Sequence, residues 1–342
     1  MKAGVIMPPR AEADFGTRVR FQLIKTGTAA LGIPCIFMNT EELRVEYFGQ
    51  NQHEVFYGEE RISELDIVIN ALHTPEEPHS NFILRHLEES GVPVVNSLSA
   101  SINTKFKPFM IQRLSSAGIR IPKSIILGTY HNLDEAVDFL GGFPIVLKTS
   151  RGWKGAGVSL CESMRSLKSV VQCLIALDHM LILQEFIAES EGIDYKIVAT
   201  RDQILCSFRR QATSRTEFRA NVSLGGKGTL VTIGKEMAEL SQKAIKSLGL
   251  VFGSVDIIQS KEGQLVVEVN DLPELNLSID GTEFVEIDFA KYFVEHLIRQ
   301  TQTDANLKSC RLNNLDYAIF NPRSDFDSDY YKNLSEDKII II

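Results

Sequence analysis

The sequence is poor in the residue patterns that usually mark a metal, redox or nucleophilic site. It holds five cysteines, Cys35, Cys161, Cys173, Cys206 and Cys310, and no two stand in a C-x-x-C spacing. That excludes a thioredoxin-type motif and paired-thiolate zinc sites, and it predicts reduced, structural thiols. The seven histidines include no H-E-x-x-H, which excludes helical zinc-protease chemistry. No Ser-His-Asp or Cys-His pattern offers an activated nucleophile. No apolar run approaches the ~18 residues a membrane helix needs. The opening MKAGVIMPPR has no apolar signal-peptide core. A cytoplasmic protein with no membrane partner is expected. Basic residues are outnumbered 36 to 44, for a net charge of −8, so no nucleic-acid partner is expected. The first strand is followed by Pro8 and Pro9 and by no G-x-G-x-x-G, so a phosphate there would find few N–H donors. A dinucleotide oxidoreductase is disfavoured on that ground.

What is present is enough for several lobes. The 342 residues exceed one ordinary core, and 44% are hydrophobic. Over the first hundred residues, strand patterns at 4–7, 34–38, 66–70 and 93–96 alternate with helical ones at 18–31 and 78–90. Gly32 and Gly91 stand where those helices should stop. Such alternation predicts a parallel sheet with crossover helices. Helices are predicted next at 108–117 and 133–140, around a strand at 124–127. Short strands follow at 145–148, 158–161, 180–186, 196–199 and 203–209, then a helix at 235–248. A hairpin pairs 254–258 with 264–270, and 284–299 reads as an outer helix. The expected boundaries are 1–97 for the α/β lobe, 98–187 for a small lobe and 188–303 for a larger one. Residues 304–342 form a polar extension of unassigned role, ending in four isoleucines.

Three constellations carry chemistry. The first is Lys148 followed by Gly152, Lys154, Gly155 and Gly157. Glycines let backbone N–H groups converge on anionic oxygens, and the lysine adds a point charge. The segment after it reads as strand, so this is a flap between strands rather than a Walker A loop. By itself it is equally a plain hairpin turn. The second is the hairpin FGSVDIIQS-KEG-QLVVEVN. With a three-residue loop at 261–263, Ser260 pairs with Gln264 and Asp256 falls opposite Glu268. Facing carboxylates repel, and period-2 alternation adds Asn270 to the same face. A hard cation such as magnesium relieves that repulsion. The alternative is the polar outer face of an edge hairpin. The third is a cluster of cations, Arg209, Arg210, Arg215, Arg219 and Lys227. It suits phosphate or carboxylate recognition, or else is a solvated loop. A weaker signal is Gln184-Glu185-Phe186-Ile187 followed by Asp194, a strand end with groups for a base edge and a ribose.

In order, these pieces resemble the ATP-grasp superfamily, and most closely its RimK-like branch, over roughly residues 92–300. The motifs read Asn96-Ser97, Lys107, Gly118-Ile119, then FPIVLK ending at Lys148, then GWKGAGV beginning at Gly152. They continue through QEFI at Gln184, FRAN ending at Asn221, VDII around Asp256 and VEVN ending at Asn270. The resemblance implies an ATP-grasp fold behind an N-terminal parallel α/β lobe. It implies an ATP- and magnesium-dependent ligase, with manganese as an alternate ion, that joins a carboxylate to an amine on an amino acid, peptide or protein. A homo-oligomer is expected. A non-catalytic ATP-binding regulatory module on the same fold is the alternative. On this resemblance Lys107 and Lys148 contact ATP, and Gly152, Lys154, Gly155 and Gly157 cover the triphosphate. Gln184, Glu185, Phe186 and Ile187 form the adenine hinge, with Asp194 on the ribose. Arg219, Asn221 and Arg210 approach the transferred phosphate, and Asp256, Glu268 and Asn270 hold the metal. The chain departs from the family after Asn270, where Asp271-Leu272-Pro273-Glu274 replaces a small-residue N-x-S-P-G pattern. Carboxylates at 271 and 274 would favour a cationic amine substrate.

Overall fold

The computed structural model describes residues 1–8, 15–49, 52–72, 78–127, 132–152, 155–177, 180–214, 216–273, 278–279, 282–283, 290–291 and 294–299. The first lobe comprises β1 (Ala3–Met7), α1 (Phe15–Ala30), β2 (Cys35–Asn39), β3 (Leu43–Gly49), β4 (Gln52–Tyr57), β5 (Glu60–Arg61), β6 (Ile67–Asn70), α2 (Pro78–Glu89) and β7 (Val94–Val95). Four of these strands form a parallel sheet in the order β2-β1-β6-β7. Val5, Ile6, Val68 and Ile69 are buried on its two faces, which is why the strands read as continuous apolar runs. The sequence pattern predicts no strand in 43–61. The structure places the antiparallel meander β3-β4-β5 there, beside α2.

The next stretch of chain holds α3 (Leu98–Lys105) and α4 (Lys107–Ser116), which pack on the third sheet, and then β8 (Ser124–Leu127), α5 (Leu133–Leu140), β9 (Ile145–Thr149), β10 (Val158–Cys161), α6 (Met164–Ile175) and β11 (Leu181–Glu185), which form the second lobe. Its sheet runs β10-β9-β11-β8, antiparallel throughout. The Asn132 side chain caps α5, and Gly141 ends it in the left-handed region (φ 89°). Ser163 and Ser166 close a capping box on α6. Leu133, Val137, Leu147, Leu167 and Leu183 share the core beneath.

The third sheet uses β12 (Ile193–Thr200), β13 (Ile204–Gln211), β14 (Lys227–Leu230), β15 (Phe252–Ser260) and β16 (Gly263–Asn270), with α7 (Lys235–Ser247) between β14 and β15 in the chain. The order is β14-β13-β12-β15-β16, again antiparallel. One face packs Ile197, Val255, Ile257 and Val269 against Met110 and Leu114 of α4 and Ala244 and Ile245 of α7. Alternation therefore turns Asp194, Lys196 and Asp256 to the opposite face.

The hairpin register corrects one expectation. Ser260 pairs with Gly263, not Gln264, around a two-residue turn. A bulge after Asp256 then shifts the ladder by one, and Asp256 faces Glu268 after all. The bulge leaves Val267 unpaired and lets Val266 and Val269 both face the core, three residues apart.

Packing and hydrogen bonds join the first lobe to the rest of the chain. Residues 290–291 and 294–299 are helical and pack against α1, so closely that a Cβ on Gly27 would lie 2.3 Å from Ala290 O. The remainder of the expected 284–299 helix and the 304–342 extension lie outside the described residues. Buried Asn96 donates to Phe252 O (2.9 Å) and Asp271 O (2.7 Å), and its Oδ1 accepts from Val251 N and Phe252 N. Among the described residues no helix is long and apolar enough to cross a membrane.

Candidate active site beneath a glycine-rich loop

A cleft opens between the second and third sheets. Its lining includes Lys107, Lys148, Gly152, Gly155, Gln184, Glu185, Phe186, Ile187, Asp194, Arg210, Arg219, Asn221, Asp256 and Glu268. Of the residues singled out in the sequence, Gly157 and Asn270 sit just beyond that lining, at the loop's far end and at the end of β16. Lys154 lies outside the described residues, as does Arg215.

The floor is a row of charges laid across four strands. Arg210 on β13 faces Asp194 on β12, Lys196 on β12 faces Asp256 on β15, and Asp256 faces Glu268 on β16. Arg210 donates Nε and Nη2 to Asp194 (2.6 Å each) and Nη2 to Asp256 Oδ2 (2.9 Å). Lys196 Nζ reaches Asp256 Oδ1 at 3.1 Å. Burial pushes the Asp256 carboxyl up, but Arg210 and Lys196 outweigh it and hold the group below its usual range. Burial also opposes the Arg210 charge, and the facing carboxylates more than compensate. Each Asp256 oxygen takes one cationic donor and keeps a second acceptor site.

Two lysines enter from above. Lys107 Nζ donates to Gly152 O (2.9 Å) and lies 3.7 Å from Glu268 Oε1. Lys148, on β9, is drawn down to about 8 by desolvation, with Lys107 adding to the shift and Glu268 opposing it. The loop joining β9 to β10 forms the roof. Gly152, Gly155 and Gly157 take φ of 151°, 79° and 75°. A Cβ at Gly157 would strike Thr149 Oγ1 at 2.2 Å, and one at Gly152 would strike Ala156 O at 2.5 Å. Only glycine fits there, so the glycine spacing reflects a tight flap and not a loose turn.

At the cleft's inner end, the Gln184 side chain donates to Ser124 Oγ (2.9 Å) and Glu185 Oε1 accepts from Lys123 N (2.7 Å). Both side chains are thus fixed against the edge strand β8. Val146, Ile187, Ile258, Val267 and the Phe186–Phe218 edge-to-face pair (6.3 Å) give apolar walls suited to a flat base.

Several contacts differ from the sequence-based expectation. Asp194 sits in a strand and accepts from Arg210 with both oxygens, so in this structure it braces a cation rather than standing free for a ribose. Arg219 grips the roof instead of the floor, through Gly155 O (2.7 Å) and Val158 O (3.2 Å). Asn221 turns the chain, its carbonyl accepting from Leu224 N and Gly226 N. Asp271 is 6% exposed and paired with Lys105 at 3.1 Å, so its charge is neutralised inside the protein. Asp271 is thus not an open carboxylate that would favour a cationic amine substrate. Glu274 lies outside the described residues. Lys196 and Glu217 were missed in the sequence. The D-x-K spacing of Asp194 and Lys196 on one strand face was the available signal for the first.

The donor set suits a hard divalent ion. Asp256 and Glu268 are paired across the ladder, Asn270 follows on the Glu268 strand, and Asp256 retains open acceptor sites. Among the described residues, the charged ones lining the cleft are four cations (Lys107, Lys148, Arg210, Arg219) and four carboxylates (Glu185, Asp194, Asp256, Glu268).

Comparison with known proteins agrees with this geometry. Residues 103–297 match the RimK-like ATP-grasp domain family. A protein named probable alpha-L-glutamate ligase from Xanthomonas euvesicatoria pv. vesicatoria (strain 85-10) is 32% identical over 71% of this chain and 81% of its own length. Probable alpha-L-glutamate ligase 1 from Shewanella sp. (strain MR-4) is 30% identical over 67% of this chain and 74% of its own. The ATP-grasp ligase PsnB, solved with a minimal precursor, magnesium and ADP, superposes with a TM-score of 0.65 at 21% identity, covering 87% of this chain and 97% of PsnB. PsnB has also been solved with a precursor peptide and AMPPNP (TM-score 0.63, 19% identity, 88% and 98% covered).

Proposed function

The chain belongs to the RimK-like ATP-grasp family and is an ATP-dependent carboxylate–amine ligase, and from that premise we propose that it joins glutamate to a peptide or amino-acid partner. The observation that carries the site assignment is the row Arg210–Asp194, Lys196–Asp256–Glu268 lying under a glycine roof with Lys107 and Lys148 between. The relatives' names support glutamate, and the peptide bound to PsnB supports a peptide as the other substrate.

The chemistry follows from what a carboxylate lacks. It cannot expel hydroxide at neutral pH. Its oxygen attacks the γ-phosphorus, the bond to ADP breaks, and an acyl phosphate forms. The amine then attacks the acyl carbon, phosphate leaves, and the ammonium proton passes to solvent. The protein's task is positioning and neutralisation of charge. Lys107 and Lys148 are placed to meet phosphate oxygens beneath the glycine roof, and the apolar walls beside Phe186 hold the base. Arg210 and Lys196 keep Asp256 ionised. The roof excludes water, which would otherwise hydrolyse the acyl phosphate. Asp256, Glu268 and Asn270 would hold magnesium, which when bound supplies positive charge beside the transferring phosphoryl group. Asp194 acts through Arg210 in this reading.

The test is product analysis. Purified protein with ATP, magnesium, glutamate and a pool of amino acids and short peptides should yield ADP, phosphate and a product heavier by one glutamyl residue. ADP release that depends on another amino acid, with no glutamyl product, would overturn the glutamate assignment and leave the ligase class intact.

A further inference from the structure

Arg219 is held in a manner that phosphate binding alone does not explain. Glu217, two residues earlier, grips it three times. Glu217 Oε1 accepts from Arg219 N (2.9 Å) and Nε (2.8 Å), and Oε2 accepts from Nη2 (2.7 Å). Such a forked pair fixes the plane of the guanidinium as well as its place. Nη1 then points at the roof and donates to Gly155 O and Val158 O. Four of the five guanidinium N–H groups are committed in these bonds, and only one Nη2 hydrogen is left over. The contact is close-packed too. A Cβ at Gly155 would lie 2.9 Å from Leu224 Cδ1 and 3.5 Å from Arg219 Cδ. Phe218, between Glu217 and Arg219, carries the guanidinium 5.5 Å above its ring and packs its edge on Phe186 of the base pocket.

The arrangement ties two loops of different sheets together. One is the glycine roof between β9 and β10, and the other is the segment between β13 and β14 that contains Glu217. Elsewhere the roof is held by Lys107 on Gly152 O (2.9 Å) and by Thr149 Oγ1 on Arg151 O, neither of which comes from the third sheet. Glu217 itself touches no part of the charged floor and is absent from the cleft lining. Its carboxyl is held below the usual range by the hydrogen bonds from Arg219, so it is ionised throughout the neutral range.

We propose that Glu217 is a positioning residue for ligation: it orients Arg219 so that the guanidinium clasps the glycine-rich loop over the cleft and couples that loop to the β13–β14 segment. Its value for the reaction rests on the ligase reading above, since a clasped roof keeps water from the acyl phosphate. The clasp itself does not depend on which acid and amine are used. Glu217→Gln keeps the size of the side chain but loses the charge and one acceptor oxygen. Arg219 then turns, the roof is released, and ATP is hydrolysed without ligation more often.

The experiment has two arms. Hydrogen exchange on the nucleotide-free protein reads the backbone amides of 155–158. In Glu217→Gln these should exchange about tenfold faster, the factor expected for loss of one charge-assisted hydrogen bond. In an Arg219→Ala background the same substitution should add nothing, because Glu217 acts only through Arg219. Turnover assays then compare ADP released with amide formed. The ratio should rise several-fold in Glu217→Gln while KM for ATP changes less than kcat for ligation, and Glu217→Asp should recover part of the coupling. Unchanged exchange at 155–158 in a folded Glu217→Gln variant would overturn the proposal. So would an exchange effect that persists in the Arg219→Ala background. If the wild-type protein makes no glutamyl product, the substrate reading fails, and the exchange arm still decides the clasp.

Discussion

The Asn96 cluster and the charged row of the third sheet are both polar and both anchored on β15, yet one is neutral and buried throughout, and the other is ionic and buried only at Arg210 and Asp256. Asn96 is 1% exposed, and its amide makes two donated and two accepted hydrogen bonds. Asn70 completes the cluster by donating to Asn96 O and Ser101 Oγ (3.1 Å each). Every capacity of the Asn96 side chain is used, so the cluster locks the first lobe onto the third sheet and offers nothing to a ligand. In the row, Asp256 retains open acceptor sites and Lys148 holds its proton only up to about 8. Neutral groups with complete partners make a joint, whereas ionic groups with incomplete partners make a site.

The contrast can be broken most severely at Arg210. Arg210→Met leaves Asp194 and Asp256 buried with their shared partner gone, and should destabilise the protein by about 3–5 kcal/mol. Denaturant unfolding checks this, and a loss below about 1 kcal/mol would mean that the row is not a single ionic network. Asn96→Ala should cost about 2–3 kcal/mol, because backbone groups of Val251, Phe252 and Asp271 lose their partners. ATP affinity of the folded fraction, measured by calorimetry, should hardly change. A fall in affinity as large as the fall in stability would erase the distinction between joint and site.

Lys148→Met should do the reverse. It should weaken ATP binding by about 1.5–3 kcal/mol while leaving stability near that of wild type. The pH dependence sharpens this. The Lys148 value lies near 8 in the folded protein, below its usual 10.5, because burial disfavours the charge. Between those two values the unfolded chain binds the extra proton, so this residue's contribution makes stability rise with pH across that window. Its charge for phosphate is present below about 8 and fades above, so kcat/KM for ATP should fall there in wild type and lose that component in Lys148→Met. A flat profile through pH 9 would remove Lys148 from the phosphate site.

Much of this was legible in the sequence, for reasons that differ by residue. The parallel sheet was readable because its strands are apolar on both faces. The facing of Asp256 and Glu268 was anticipated through two one-residue differences that cancel, since a turn one residue shorter than assumed is offset by a bulge at Val267. Turn length and bulges depend on which residues must reach the core, here Val266 and Val269, and no local pattern states that. The meander β3-β4-β5 is hard to read because Leu43, Val45 and Val55 are buried while the aromatic Tyr47 and Phe48 stand exposed among charges, which breaks the apolar–polar alternation. The partners of single charges were hidden altogether. Asp271 looked like an open carboxylate until the fold brought Lys105 beside it from 166 positions away. Asp194 read as a loop residue until the register set it against Arg210.

On the proposed function, the face of the third sheet carrying Asp256, Glu268 and Asn270 would hold the ion that accompanies ATP. The most direct test is magnesium titration of glutamate-dependent ligation in wild type and Glu268→Ala at saturating ATP, with thermal melts on both. Glu268→Ala should lose turnover on the order of 10²–10³-fold, require more magnesium for whatever activity remains, and melt as wild type does. Near-normal ligation by Glu268→Ala at moderate magnesium would contradict it.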